Sequence, residues 1–387
     1  MKIGILGAAG IAPAAIIRPV RRRGGDVTVA AVAARDEERA ASYAAEHGIP
    51  AWYGDYQRLL DDPDIDLVYN ALPPSRHADL TIAALAAGKD VLCEKPFAMN
   101  AVQAWQMNDA AAKAGRRVIE AFHDRYHPLQ DAIVEILASG RLGPVRSMTA
   151  NFSASIPFFP ESLRHAPELG GGALMDLGCY AVHWLRTFAG EEPSVVSAEA
   201  ELGPLGVDEA IRADLEFPSG IRGRVETSMA DGVALTQSLR VEAERGTLTV
   251  AGVVFPSGGH SIRQVIDGLP SNSTVAGQET YDHQLAAVHE GLRTGARLPT
   301  EGDDPVANMA LIDAIYARAG VERVFARVDR AAQHADEAAD GRLFLARGVA
   351  ERRVERGLRR RVVEAAQEGD RLRRALQPVH AGVLPLD

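Results

Sequence analysis

Short apolar runs alternate with longer amphipathic stretches through the first third of the chain. "KIGILGA", "VTVAAVAAR", "DLVYNALP", "DVLCEKP" and "RRVIEAF" read as buried strands. Between them lie an alanine-rich apolar helix and then "DEERAASYAAEHG", "HADLTIAALAAGK" and "NAVQAWQMNDAAAKAG", each stopped by glycine or by a residue beside one. Strands alternating with helices of this length predict right-handed βαβ units: an α/β domain over residues 1–122, a parallel sheet with helices on both sides.

The period changes after "GRLGPVRSMTANFSASI". "SVVSAEAEL", "AIRADLEF", "IRGRVETSMA", "QSLRVEAERGTLTVAG" and "HSIRQVI" alternate apolar and polar residues, with turns such as "PSG" and "RGT" between them. That pattern predicts an open-faced, mostly antiparallel sheet with one wet face. A helix beginning near Gly172 interrupts it, and "YDHQLAAVHEGLRTG" and "DPVANMALIDAIYARAG" are expected to close this α+β domain, residues 123–320. The remainder, 321–387, is rich in Ala, Arg and Glu and contains no lysine. It reads as a helical or partly disordered extension. A nucleic-acid tail and a frameshifted end are the other readings, and the interspersed acids favour the first.

Composition narrows the function. The 387 residues carry a net charge of −10, whereas a phosphate-contacting nucleic-acid binder or a polybasic membrane anchor needs a basic surface. Two cysteines make no disulfide framework, which points to a reducing compartment. The N-terminal apolar run breaks into glycine too early for a signal peptide, and no stretch approaches the roughly 18 apolar residues of a membrane span. The expectation is a soluble cytoplasmic protein.

Candidate chemistry begins at "GAAGIA", Gly7 to Ala12, between the first strand and the first helix. Gly7 permits a tight turn, and Ala9, Gly10, Ile11 and Ala12 lead into a helix N-terminus whose unpaired N–H groups suit a pyrophosphate. Ala9 stands where the dinucleotide fingerprint has its middle glycine, so a turn that binds nothing is the plain alternative. The second strand ends "AVAARD": Ala33 and Ala34 occupy the place of the usual ribose-binding acid, and Arg35 follows. An uncharged end with a guanidinium suits a 2′-phosphate, favouring NADP over NAD. A surface arginine opening the next helix is the alternative.

"CEKP" ends a later strand, where ligands sit in doubly wound sheets. Pro96 keeps Lys95 extended and permits a cis bond that would aim its ammonium into the cleft. A positive nicotinamide ring nearby would disfavour that charge. An exposed Lys95 paired with Glu94 is the alternative. Cys93 has no base–orienter pair near it in sequence and reads as packing.

Together "GILGAAGIA", "NALPPSRHADLTIAALAAGKDVLCEKPFAMN", "EAFHDRYHP" and "GGGALMDLGCYAVHWL" resemble the Gfo/Idh/MocA oxidoreductases over about residues 1–320. Within that family the chain looks most like the branch of dihydrodiol dehydrogenases, NADP-dependent xylose dehydrogenases and glucose–fructose oxidoreductases. The resemblance implies a Rossmann domain, then a sheet domain that often forms the oligomer interface, giving a homodimer or homotetramer. It implies cofactor contacts from Leu72, Pro73, His77, Glu94 and Lys95. It implies Lys95 in reach of the reacting hydroxyl, with Asp176 from the glycine-led motif. Four residues beyond that Asp the inositol branch carries His; here Tyr180 stands, as in the named branch. "EAFHDRYHP" supplies the substrate side, with His123 where the branch often has an aromatic, and Arg125 beside it.

Helix geometry refines the glycine-led motif. At about 100° per residue, Leu174, Leu177, Ala181, Leu185 and Phe188 share one core face, and Asp176, Tyr180, His183 and Thr187 fall opposite. Asp176 and Tyr180 lie about one turn apart near the helix start, and His183 lies further off as a cleft-lining substrate residue. A merely solvated polar side is the alternative. The glycines suit a sharp entry and close approach of substrate and nicotinamide. His123 and His127 lack a third partner at ligand spacing, so no metal is expected.

These readings converge on hydride transfer between NADP and a hydroxyl of a sugar or cyclic diol. Tyr180 is expected as acid/base, its phenolate favoured by Lys95, while Lys95 orients the hydroxyl; the two roles are exchangeable. Asp176 accepts from substrate or holds Lys95. A nucleotide-sensing regulator and a nicotinamide-retaining glycoside hydrolase stand as alternatives on the same fold.

Overall fold

The computed structural model describes residues 1–159 and 161–323. The expected C-terminal extension lies, beyond residue 323, outside the described residues.

Six strands form the first sheet: β1 (Lys2–Leu6), β2 (Thr28–Ala33), β3 (Ala51–Tyr53), β4 (Leu67–Asn70), β5 (Asp90–Cys93) and β6 (Val118–Glu120). They lie in the order β3-β2-β1-β4-β5-β6, every pair parallel. Successive residues of β1 and β4 alternate between two apolar clusters. Ile3, Ile5, Leu67 and Tyr69 join one, and Leu6 and Val68 the other. Both faces are therefore covered, as a parallel sheet requires. The strand β3, "AWY", is too short to show a period and has no counterpart among the expected strands.

A π-helical turn, Pro13–Ile17, leads into α1 (Arg18–Arg23). α2 (Glu37–Glu46), α3 (Tyr56–Leu60), α4 (His77–Ala86) and α5 (Ala101–Ala114) follow their strands. The Asp36 and Asn100 side chains cap α2 and α5 by accepting from the Arg39 and Gln103 N–H groups. Because the order reverses between β1 and β4, the loops after those strands and after β5 open onto one crevice at their carboxyl ends.

After α6 (Pro128–Ala138) come the strands of the second sheet. These are β7 (Val145–Ser153), β8 (Ser194–Leu202), β9 (Asp208–Glu216), β10 (Arg222–Ser228), β11 (Thr236–Ala243), β12 (Gly246–Ala251), β13 (Ser261–Ile266) and β14 (Leu269–Ser273). The order is β14-β13-β12-β11-β7-β10-β9-β8, antiparallel except where β7 meets β10. The helix α7 (Cys179–Ala189) packs on β7 and β10, and α9 (Asp303–Arg318) packs on α5, α7 and β8.

One helix goes elsewhere. α8 (Thr280–Thr294) was expected to close the second sheet, but it returns to the first. Its Tyr281, Leu285 and Val288 join the cluster of Ile3, Ile5 and Ile16, and Asp282 accepts from Arg22 Nε at 3.0 Å. The i, i+4, i+7 spacing is one apolar stripe, and only the packing tells which layer it covers. The consequence is local: Thr280 and Tyr281, opening α8, arrive beside His123.

Candidate active site

The loop after β1 fits an anionic ligand. Gly7 has φ of +100°, and a Cβ there would sit 3.0 Å from Leu72 Cδ2. The Gly7 N–H is spent on the Ala33 carbonyl, at 2.8 Å. Among the described residues, no acceptor meets the N–H groups of Ala8, Ala9, Gly10 or Ile11, and the space beside Gly10 is open. The loop is pinned from behind: the Tyr43 hydroxyl donates to the Ala9 carbonyl at 2.9 Å, and Arg39 Nη2 donates to the Ala8 carbonyl at 3.2 Å. Arg35 is exposed at the end of β2. Tyr56 reports its company: burial raises the phenol, while the charges of Arg35, Arg76 and Arg39 draw it down. Three guanidinium groups thus converge where one was foreseen.

Lys95 stands at the end of β5, and its bond to Pro96 is cis. Its Nζ donates to Asp176 Oδ1 at 2.9 Å and to the Asp176 carbonyl at 2.7 Å. Two of three ammonium hydrogens are engaged, leaving one for a ligand. Burial disfavours this charge, but Asp176, aided by Cys179 and Glu94, outweighs it and lifts the pKa above the ordinary lysine value. The expected lowering came from a nicotinamide ring; the carboxylate at contact distance, which sequence reasoning did not weigh, acts in the opposite direction. The second carboxylate oxygen accepts from Arg164 Nε at 2.7 Å. Burial would raise the Asp176 carboxyl, yet Lys95 and Arg164 hold it at about 2.

Arg164 was not foreseen, although the glycines carry its signal. A Cβ on Gly171 would meet the Arg164 carbonyl at 2.6 Å, and one on Gly172, where φ is +123°, would strike the Asp208 carboxylate. The Gly172 N–H donates to the Arg164 carbonyl at 2.9 Å. The glycines thus let the protein's own segments close in and aim Arg164 at Asp176.

The segment Leu174–Gly178 is a π-helical turn before α7, so the uniform 100° wheel fails there. The side expected to be polar is buried: Tyr180 is 3% exposed and His183 2%. Lys95 Nζ lies over the Tyr180 ring, 5.3 Å from its centroid, and Phe122 and Phe152 meet the ring edge-on. Burial pushes the phenol well above its ordinary value, contrary to the expectation that Lys95 favours phenolate. The Tyr180 oxygen meets His123 Nε2 at 3.1 Å, and His123 Nδ1 meets Thr280 Oγ1 at 2.7 Å. His123 was expected to touch substrate; it is 1% exposed and stands behind Tyr180. Burial and the charge of Lys95 bring its pKa down to about 3, leaving a neutral ring.

Other expected site residues make their contacts within the protein. His77 is buried, with Nδ1 3.0 Å from the Pro96 carbonyl and Nε2 2.7 Å from that of Leu72, so it ties two crevice loops together. Leu72 and Pro73 stay partly exposed. Glu94 accepts from the Tyr69 hydroxyl at 2.6 Å and turns inward. His183 stacks on Phe122 and pairs with Asp304 at 3.2 Å instead of lining a cleft. Arg125 pairs with Asp131 at 3.2 Å and faces a separate cavity that none of Lys95, Asp176 or Tyr180 lines. Cys93 and Cys179 are buried thiols. Among the described residues no group of three His, Cys, Asp or Glu could hold a metal ion.

Comparison with known proteins agrees with this layout. The family model described as an oxidoreductase family with an NAD-binding Rossmann fold matches residues 1–122, and the GFO/IDH/MocA C-terminal domain model matches residues 131–249. A D-xylose 1-dehydrogenase (NADP(+)) of Haloferax volcanii is 37% identical over 321 residues, 82% of this chain and 97% of that protein. The trans-1,2-dihydrobenzene-1,2-diol dehydrogenase of Xenopus laevis is 42% identical over 204 residues, covering 52% of this chain and 61% of that one. Among solved structures, the aldose-aldose oxidoreductase of Caulobacter crescentus, complexed with glycerol, superposes with a TM-score of 0.75 at 29% identity, covering 82% of this chain and 97% of that one.

Proposed function

The chain belongs to the Gfo/Idh/MocA oxidoreductases, and from that premise we propose an NADP-dependent dehydrogenase acting on a hydroxyl of a sugar or cyclic diol. The observation that carries the reading is the Lys95–Asp176 pair, with Tyr180 against it, at the carboxyl end of a parallel sheet. Bound NADP supplies the hydride acceptor and donor. The N–H groups from Ala8 to Ile11 suit its pyrophosphate, and Arg35, Arg39 and Arg76 suit its 2′-phosphate. The relatives named for NADP and for xylose or dihydrodiol oxidation support both the cofactor and the substrate class.

In this reading Lys95 directs its remaining hydrogen at the substrate oxygen and stabilises charge that builds there. Asp176 fixes the ammonium and keeps it charged. Tyr180 receives the hydroxyl proton in oxidation and returns it in reduction. Retention of Lys95, Asp176 and Tyr180 together favours an enzyme over a nucleotide-sensing regulator. Exposed Val196, Leu202 and Leu205, in and just after β8, suit a homo-oligomer built through the second sheet. No described helix is long and apolar enough to cross a membrane, and the free thiols suit the cytoplasm.

The test is a screen of nicotinamide reduction, with NADP⁺ and NAD⁺ against aldoses, polyols and trans-dihydrodiols. The expected result is turnover of an aldose or diol, faster with NADP⁺. Tight NADP binding without turnover would favour the regulator. Sugar release from an aryl glycoside without net reduction would favour the hydrolase.

A further inference from the structure

The phenol of Tyr180 is buried, and burial works against the phenolate that oxidation requires. Something must offset this at the oxygen itself. Lys95 does not: its bonds go to Asp176, and its charge lies over the ring face. The other titratable and charged neighbours, Tyr281, Asp124, Glu94 and Cys179, all push the phenol up. The polar atom within reach of the oxygen is His123 Nε2, at 3.1 Å.

The His123 ring has little freedom. Phe255 stacks on it at 5.3 Å and Tyr281 lies against it at 4.1 Å between centroids. Thr280 Oγ1 sits 2.7 Å from Nδ1. Thr280 is 1% exposed, and among the described residues its hydroxyl has no other acceptor. Either tautomer leaves one hydroxyl hydrogen over; Thr280 has no substrate to meet, so it donates to Nδ1 and the spare hydrogen falls to Tyr180, the group that faces the reaction. A neutral imidazole accepting at Nδ1 carries its hydrogen on Nε2. That N–H then points at the Tyr180 oxygen and leaves the phenol's own hydrogen free for substrate.

We infer that His123 is a positioning residue: its Nε2–H donates to the Tyr180 oxygen and stabilises the phenolate, while Thr280 fixes the tautomer. The inference rests on the reading of Tyr180 as acid/base. The substrate proton moves to the Tyr180 oxygen and back, and His123 keeps its single hydrogen throughout. An aromatic hydrocarbon at position 123 would fill the same space but could not donate.

Two measurements decide it. In ¹⁵N-histidine-labelled protein, with the His123 signals assigned by His123→Phe, the wild type is expected to show the Nε2–H tautomer near neutral pH. Thr280→Val is expected to lose that preference and Thr280→Ser to keep it. An Nδ1–H or doubly protonated His123 in the wild type would overturn the inference. The second measurement is the pH profile of kcat for D-xylose oxidation by NADP⁺. His123→Phe and Thr280→Val are expected to move the limb assigned to Tyr180 up by about one pH unit, a loss of about tenfold at neutral pH, with Thr280→Ser close to wild type. If Tyr180→Phe loses activity while both other variants keep the wild-type profile, the inference falls and the Tyr180 reading stands. If Tyr180→Phe retains kcat, that reading falls and takes the inference with it.

Discussion

Lys95 Nζ lies 2.9 Å from the Asp176 carboxylate and 2.7 Å from the carbonyl of the same residue, so one aspartate holds the lysine at two points across 81 positions of sequence. The geometry makes Asp176 a holder of Lys95, which narrows the two roles open to it from sequence.

Asp176→Asn is the direct test of that role. It leaves Lys95 and Arg164 without their shared anion, at a pair whose side chains are each 17% exposed. Losing one partner of a fully buried pair costs roughly 3–5 kcal/mol, and the partial exposure here reduces that to about 2 kcal/mol. Urea unfolding reads the loss. Unchanged stability together with unchanged kcat would remove Asp176 from the site.

Lys95→Met and Tyr180→Phe are expected to lower kcat by about 10²–10⁴-fold, with a smaller change in NADP affinity, since the pyrophosphate and 2′-phosphate contacts proposed above use other residues. Stopped-flow or steady-state rates with NADP binding by fluorescence separate the two effects. Near-normal kcat in both variants would mean the chemistry lies elsewhere.

Cofactor choice is expected to reside in the arginines around Tyr56. Charged hydrogen bonds contribute about 1.5–3 kcal/mol each, so Arg35→Ala with Arg39→Ala is expected to raise KM for NADP⁺ by at least about tenfold. KM for NAD⁺ is expected to stay close to wild type. Equal losses for both cofactors would point to damage of the Ala8 loop, which Arg39 also supports.

Acid stability is expected to depend on His127. Its Nδ1 caps α6 by accepting from the Leu129 N–H at 3.1 Å. Burial, with His283 and His260 beside it, brings its pKa from 6.5 to about 4. The folded state therefore binds fewer protons than the unfolded chain between those values. The stabilisation is complete above about pH 6.5 and is lost as pH falls toward about 4. His127→Asn keeps an acceptor for the cap without the titration. Its Tm is expected to fall less steeply over that window than the wild type's, and parallel curves would exclude His127 as a source.

The repeating layers of this protein were legible in its chain, because burial on one or two faces imposes a period that neighbours in sequence must share. Five of six parallel strands, the wet-faced sheet, the Gly7 turn and the strand-end position of Lys95 all follow from such local rules. "AWY" escaped because three residues hold no period, and Arg164 escaped because its role depends on a close backbone approach between segments.

What only the tertiary structure decided is which groups meet. α8 carries an apolar stripe that suits either layer, and docking on the first sheet is what delivers Thr280 to His123. The π-helical turn at Leu174–Gly178 turns Asp176 toward Lys95 and leaves Tyr180 buried beside an imidazole. The carboxylate that keeps Lys95 charged and the burial that raises the Tyr180 phenol were out of view for the same reason. Periodicity is a property of neighbouring residues, whereas desolvation and charge pairing act through distances of a few ångströms between groups far apart in sequence, and those distances exist only once the chain has packed.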